Sequence, residues 1–182
     1  MDFTKFKKME IYGVFFSFIT MCILHFTYIW SNGAMWSILF CSVNESVWEH
    51  IKIITTPYVL WAFLELAIAK PYFKQFVISK IFGIYFLILS IIIFYYTYTF
   101  FISENILFID ITSTIIFIIL AHLFSYKITT SYKNYKTWYH LALALLFLYF
   151  CMYFWFTISP PHINIFLDPT TQEYGIYSKS IL

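Results

Sequence analysis

Nine carboxylates and five histidines carry most of the chemistry open to this 182-residue chain, and they are unevenly spread. The densest group is SVNESVWEHIK, residues 42–52, which puts Glu45, Glu49 and His50 in one short stretch. Histidine nitrogens and carboxylate oxygens suit Zn²⁺ or a similar divalent ion. The same groups also serve as general acids and bases. On a helical wheel Glu45, Glu49, Lys52 and Thr56 share one stripe, with Trp48 at its edge. Ser42, three residues before Glu45, reads as a capping box opening a helix, with Asn44 as the alternative cap. His50 falls on a different side of that wheel from Glu45. The spacing between them is therefore not a metal motif, and His50 needs ligands from other helices. His25 and Asp110 are the expected partners. His25 lies five residues below Trp30, about 7 Å of helix, and Asp110 about one turn below the outer end of its own apolar stretch. The expected ion site is thus His25, His50 and Asp110, with Glu45 or Glu49 as general base. A plainer reading stays open: acids at a positive helix start, with a Glu49–Lys52 pair at i,i+3.

The elements that position these groups follow from composition. The chain is 62% apolar and 11% charged, against about 45–50% and about 25% in soluble domains. Its mean hydropathy is +0.78. These values exclude a secreted soluble enzyme, a disordered chain and a nucleic-acid binder, and they indicate an all-α polytopic membrane protein in a lipid bilayer. The net charge of +2 comes from eleven Lys and no Arg. Without Arg the bidentate fork for phosphate and carboxylate is missing, and no basic stripe suggests nucleic acid. Cys22, Cys41 and Cys151 form no CxxC pair and read as packing residues or free thiols.

Five stretches are long enough to cross: Glu10–Trp30, Ile51–Ala69, Ile81–Ile102, Ile106–Tyr126 and Trp138–Ile158. Lys5, Lys7 and Lys8, then Lys70, Lys74 and Lys80, then Lys127, Lys133 and Lys136 all fall on one side if each stretch crosses once. The positive-inside rule makes that side cytoplasmic, which places the chain in a bacterial plasma membrane with its N-terminus inside and its C-terminus outside. The first apolar run is too long for a signal-peptide core and lacks an A-x-A site, so it is expected to be retained. Trp30, Trp36, Trp48 and Trp155 are expected at the outer interface, Trp138 at the inner one and Trp61 between helices. Residues 33–42 are apolar but too short to span, and read as an interfacial or re-entrant segment. The division is a transmembrane domain over 1–158 and an extracytoplasmic tail over 159–182. That tail is either an ordered flap or frayed.

On the inner side Glu65 and Lys80 read as a pair across a short loop, and Glu10 as an interfacial anchor among lysines. A buried Glu65 linked to His122 would instead open a polar path favouring transport. Asp110, Ser113, Thr114, Ala121 and Ser125 form a stripe suited to close helix packing.

The blocks LHFTYIW (24–30), VNESVWEHIK (43–52), FYYTYTFFISENILFIDI (94–111) and PP…FLDP…YG (160–175) resemble a family of small multi-pass bacterial membrane proteins catalogued as a domain of unknown function. VNESVWEH is the most specific part. The resemblance spans nearly the whole chain and implies membrane location without assigning catalytic residues. Its blocks hold His25, Glu45, Glu49, His50 and Asp110, and add Tyr28, Asn44, Trp48 and Asp168 as expected pocket-lining or cofactor-binding residues. A looser fold-level analogy, through His, Asp and Ser embedded among helices, is to multi-pass zinc amidohydrolases of lipid amides, which have seven spans and a different motif order. Three functions are consistent with the sequence: a metal-dependent hydrolase or transferase on a lipid-like, small-molecule or extracytoplasmic substrate; a small ion-coupled permease; and a non-enzymatic binding or immunity-type protein.

Overall fold

A computed structural model describes residues 2–131 and 135–176. Lys133 and residues 177–182 of the expected tail lie outside the described residues. The protein is helical: α1 (Phe3–Trp30), α2 (Met35–Phe40), α3 (Val47–Ala69), α4 (Phe73–Ile102), α5 (Leu107–Thr129) and α6 (Tyr139–Ile158), with 3₁₀ turns at Lys136–Trp138 and Asn164–Phe166. Among the described residues α1, α3, α4, α5 and α6 are long and apolar enough to cross a membrane, as the five-span reading expects.

Three helices, α1, α3 and α4, begin earlier than their apolar runs. α1 starts at Phe3, capped by Asp2 Oδ1 accepting from Lys5 N at 3.0 Å. α4 starts at Phe73, eight residues before Ile81, because lysine interrupts hydropathy without interrupting a helix. Lys70 stops α3 in the left-handed region (φ 47°) and Pro71 follows, as suits a sharp helix end. Pro57 lies inside α3, where it removes a backbone donor. The preceding hydroxyls bond back into that turn, Thr55 Oγ1 to Ile51 O at 2.9 Å and Thr56 Oγ1 to Lys52 O at 2.8 Å.

The bundle is apolar outside, and its interior combines an apolar core with buried polar groups. On α1, Phe15, Ile19, Ile23 and Phe26 form an exposed stripe, while Glu10, Gly13 and Ser17 face inward. A lipid solvent favours that inversion. Trp30, Trp36, Trp138 and Trp155 are exposed as a belt requires. Trp48 departs from the expectation: it is buried against Phe156 and Phe166. Tyrosine hydroxyls bolt α6 to its neighbours, Tyr149 to Thr55 Oγ1 at 3.0 Å and Tyr85 of α4 to Leu145 O at 2.9 Å.

Side-chain meetings fix the helix directions. Glu10, near the start of α1, joins Lys80, near the start of α4, and Lys80 in turn joins Glu65, near the end of α3. His25, near the end of α1, faces Glu45, just ahead of α3. The chain therefore runs up and down, with an amino-terminal face and an opposite face. α2 turns back beside α1 at the opposite face, where Ser42 N reaches Leu24 O at 3.4 Å. Its last carbonyls accept from Lys52 Nζ (Ile38 O, 2.9 Å) and Tyr153 Oη (Leu39 O, 2.9 Å). Non-helical backbone near a membrane is shielded in this way.

Candidate functional site

The loop between α2 and α3 is built by its own polar side chains. Ser46 caps α3, its Oγ accepting from Glu49 N at 3.3 Å, so the helix begins four residues later than a Ser42 cap implies. Asn44 braces the loop from two sides: its Oδ1 accepts from Ser46 N at 2.9 Å and its Nδ2 donates to Gly175 O at 2.9 Å. Asp168 is buried; one oxygen accepts from Glu45 N at 3.2 Å and the other from Thr170 N and Oγ1, both at 2.6 Å. Residues 160–175 thus fold over this face, with Phe166 seated on Trp48.

Because Glu45 precedes the helix, the wheel does not govern its side chain. Its carboxylate turns between two imidazoles, with Oε1 at 3.7 Å from His25 Nε2 and Oε2 at 3.6 Å from His50 Nε2. The separation that the helical wheel gave Glu45 and His50 is corrected by this local geometry. One ligand atom from each of the three residues lies within 4.8 Å of the others. Bonds of about 2.0–2.2 Å in a tetrahedral zinc site put neighbouring ligand atoms about 3.4 Å apart, close to these spacings. His50 Nδ1 lies 2.9 Å from Ser46 O and donates to it, which turns the Nε2 edge of the ring toward Glu45. A backbone carbonyl commonly holds metal-ligating histidines in this way. The side chains of His25, His50 and Glu45 are 25%, 39% and 47% exposed, leaving an approach from outside the bundle.

The other expected site residues go elsewhere. Asp110 is outside this group and accepts from Tyr98 Oη at 2.6 Å, joining α5 to α4. Glu49 is buried, 2.6 Å from Lys52 Nζ, and accepts from Val43 N at 2.9 Å. Tyr28 packs over the turn at Gly33, where an added Cβ would meet its hydroxyl at 3.4 Å. Trp48 is a core residue whose Nε1 finds no hydrogen-bond partner among the described residues.

A second polar cluster lies at the amino-terminal end of the bundle. Glu10, Glu65, Lys80 and His122 are each at most 4% exposed. Lys80 Nζ bonds Glu10 Oε1 at 3.0 Å and Oε2 at 3.1 Å, and it meets Glu65 Oε2. His122 Nδ1 lies 2.6 Å from Glu10 Oε2, Ser125 Oγ donates to Glu10 Oε1 at 2.5 Å, and Ser17 Oγ is 3.3 Å from His122 Nε2. The Glu65–Lys80 pair is present as expected, whereas Glu10 is a buried hub and not an interfacial anchor. The signal in the sequence was depth: each of these residues sits four to seven positions from a helix end at this face. An apolar groove of about 550 Å³ along α4, lined by Phe82, Phe86, Leu89 and Phe117, shares no residue with either cluster.

An all-helical polytopic membrane protein with two separate polar clusters among its helices is the class these features define. The chain belongs to the Family of unknown function (DUF6512), which it matches over residues 1–176. The resemblance carried by VNESVWEH and its companion blocks pointed to an uncharacterised family of this kind. No curated protein and no solved structure matches the chain.

Proposed function

We propose that this chain is a metal-dependent membrane hydrolase or transferase whose divalent ion, zinc or one like it, is held by His25, Glu45 and His50. The observation that carries this reading is the convergence of two imidazole nitrogens and one carboxylate at metal-ligand spacing on a partly open surface. Three protein ligands with a free position are the usual form of a catalytic zinc site. An ion there supplies Lewis acidity and activates water at neutral pH. The protein's own share is placement: Ser46 O orients His50, and Asp168 pins the backbone of Glu45. Glu45 then serves as ligand instead of base, and Glu49 is engaged by Lys52. The substrate is lipid-like or extracytoplasmic, reaching a site that the lysine distribution puts at the outer face of a plasma membrane. Residues 159–182 form the extracytoplasmic tail beyond the transmembrane domain.

Elemental analysis of the detergent-purified chain tests this. The expected result is bound zinc in stoichiometric amount, at least tenfold weaker in His25→Ala, Glu45→Ala and His50→Ala and unchanged in Asp110→Asn. Turnover of lipid esters or amides that stops on chelation supports the enzyme. A wild-type chain that takes up no zinc on titration overturns the reading. A second reading, a small ion-coupled permease, is supported by the burial of Glu65 and His122 around one hub. It requires proteoliposome flux that Glu65→Ala abolishes.

A further inference from the structure

The amino-terminal cluster is unbalanced in charge. Glu10 and Glu65 bring two negative charges and Lys80 one positive charge, all inside the bundle. An uncompensated charge is costly there, and one more bound positive charge balances the group. That charge can be a metal ion or a proton. Lys80 decides between them, because its ammonium already fills the space between the two carboxylates. A cation added beside Glu10, Glu65 and His122 would face that ammonium at close range.

Hydrogen bonding shows where a proton goes. Glu10 is satisfied as an anion: one oxygen accepts from Lys80 and Ser125, the other from Lys80 and His122. His122 donates from Nδ1 to Glu10, and its Nε2 meets the Ser17 hydroxyl, which can donate to it, so the ring needs no second proton. Glu65 is not satisfied. It is 0% exposed, its Oε2 meets Lys80, its Oε1 has no partner within hydrogen-bond geometry among the described residues, and the Glu10 carboxylate stands beside it to accept a proton carried by Glu65. Tyr58 of α3 adds a ring face to Lys80 at 5.0 Å. The titratable groups around Glu65 are therefore Glu10 from α1, Tyr58 from its own helix, Lys80 from α4 and His122 from α5.

We infer that Glu65 is an intramembrane proton-binding site, its ligand a single proton exchanged with water at the amino-terminal face. The cluster lies about 6–10 Å of helix below that face. Loaded, Glu65 is a neutral acid beside a balanced Glu10–Lys80 pair. Unloaded, the core carries one net negative charge and the junction of α1, α3, α4 and α5 is weakened. The inference is independent of the metal site.

Infrared difference spectroscopy of the full chain in nanodiscs, scanned across pH, tests it. The expected result is a buried carboxylic-acid band at neutral pH that vanishes on alkalinisation, with release of one proton per chain more than the Glu65→Gln variant releases over the same range. Glu65→Gln abolishes the band and that extra proton, while Glu104→Gln, at an exposed position outside both clusters, leaves both intact. Because Gln mimics the neutral acid, Glu65→Gln keeps wild-type thermal stability at neutral pH and loses the alkaline destabilisation. Absence of the band, its survival in Glu65→Gln, failure of that variant to fold, or replacement of the proton by sodium each overturns the inference.

Discussion

At the scale of single residues, two glutamates four positions apart have opposite fates, and the helix boundary decides which is which. Glu45 sits ahead of the Ser46 cap with its carboxylate free to turn between His25 and His50; Glu49 sits inside the helix and is held by Lys52. Zinc binding is therefore expected to fall in Glu45→Gln and to persist in Glu49→Gln. Lys52 is fully buried, and Lys52→Met leaves Glu49 charged with only the Val43 amide. A loss of about 3–5 kcal/mol is expected, since breaking a buried pair strands one charge. The double variant Lys52→Met, Glu49→Gln recovers part of it in a thermal melt. Cys41 is buried in the same region, and burial pushes its thiol above the ordinary range. It should react with maleimide at neutral pH only once the chain is unfolded.

At the scale of elements, close helix approach depends on glycine where a buried ring lies opposite. A Cβ on Gly83 of α4 would stand 2.1 Å from Tyr58 Oη and 2.7 Å from its Cζ. Tyr58 is fully buried and has no room to retreat. Gly83→Ala is expected to cost about 1–3 kcal/mol, the usual penalty of overpacking. Adding Tyr58→Phe relieves this only in part, because the ring carbon still clashes. Gly13 plays the same role on α1, where a Cβ would meet His122 at 2.4 Å and Trp61 at 2.5 Å. The helices that carry the proton-binding cluster are thus the ones that glycine lets come together.

At the scale of the whole molecule, the two polar clusters stand at opposite ends of one up-and-down bundle. This follows from alternation of the spans and from the pairings of Glu10 with Lys80 and of His25 with Glu45. Single-cysteine labelling in intact cells is the measurement. Probes at Lys7 and Lys74 should be shielded from a membrane-impermeant reagent, while probes at Asn32, Glu104 and Glu173 should react. Reaction at Lys7 or Lys74 would reverse the assignment of the metal site to the outer face.

Membrane class, five spans and their approximate limits were legible because hydropathy is local: twenty apolar residues need no partner to declare a preference for lipid. The lysines likewise suggested which ends share a face, and the resemblance to an uncharacterised family was legible over nearly the whole chain. The membership of each cluster was not legible. Glu45 joins the two histidines through a loop conformation held by Asp168, 123 residues further on. Glu10 leaves the surface because Lys80, seventy residues away, and His122 and Ser125, more than a hundred residues away, offer it donors. A side chain's charge belongs to the sequence, but what neutralises that charge is set by which helices pack together, and that is a property of the tertiary structure alone.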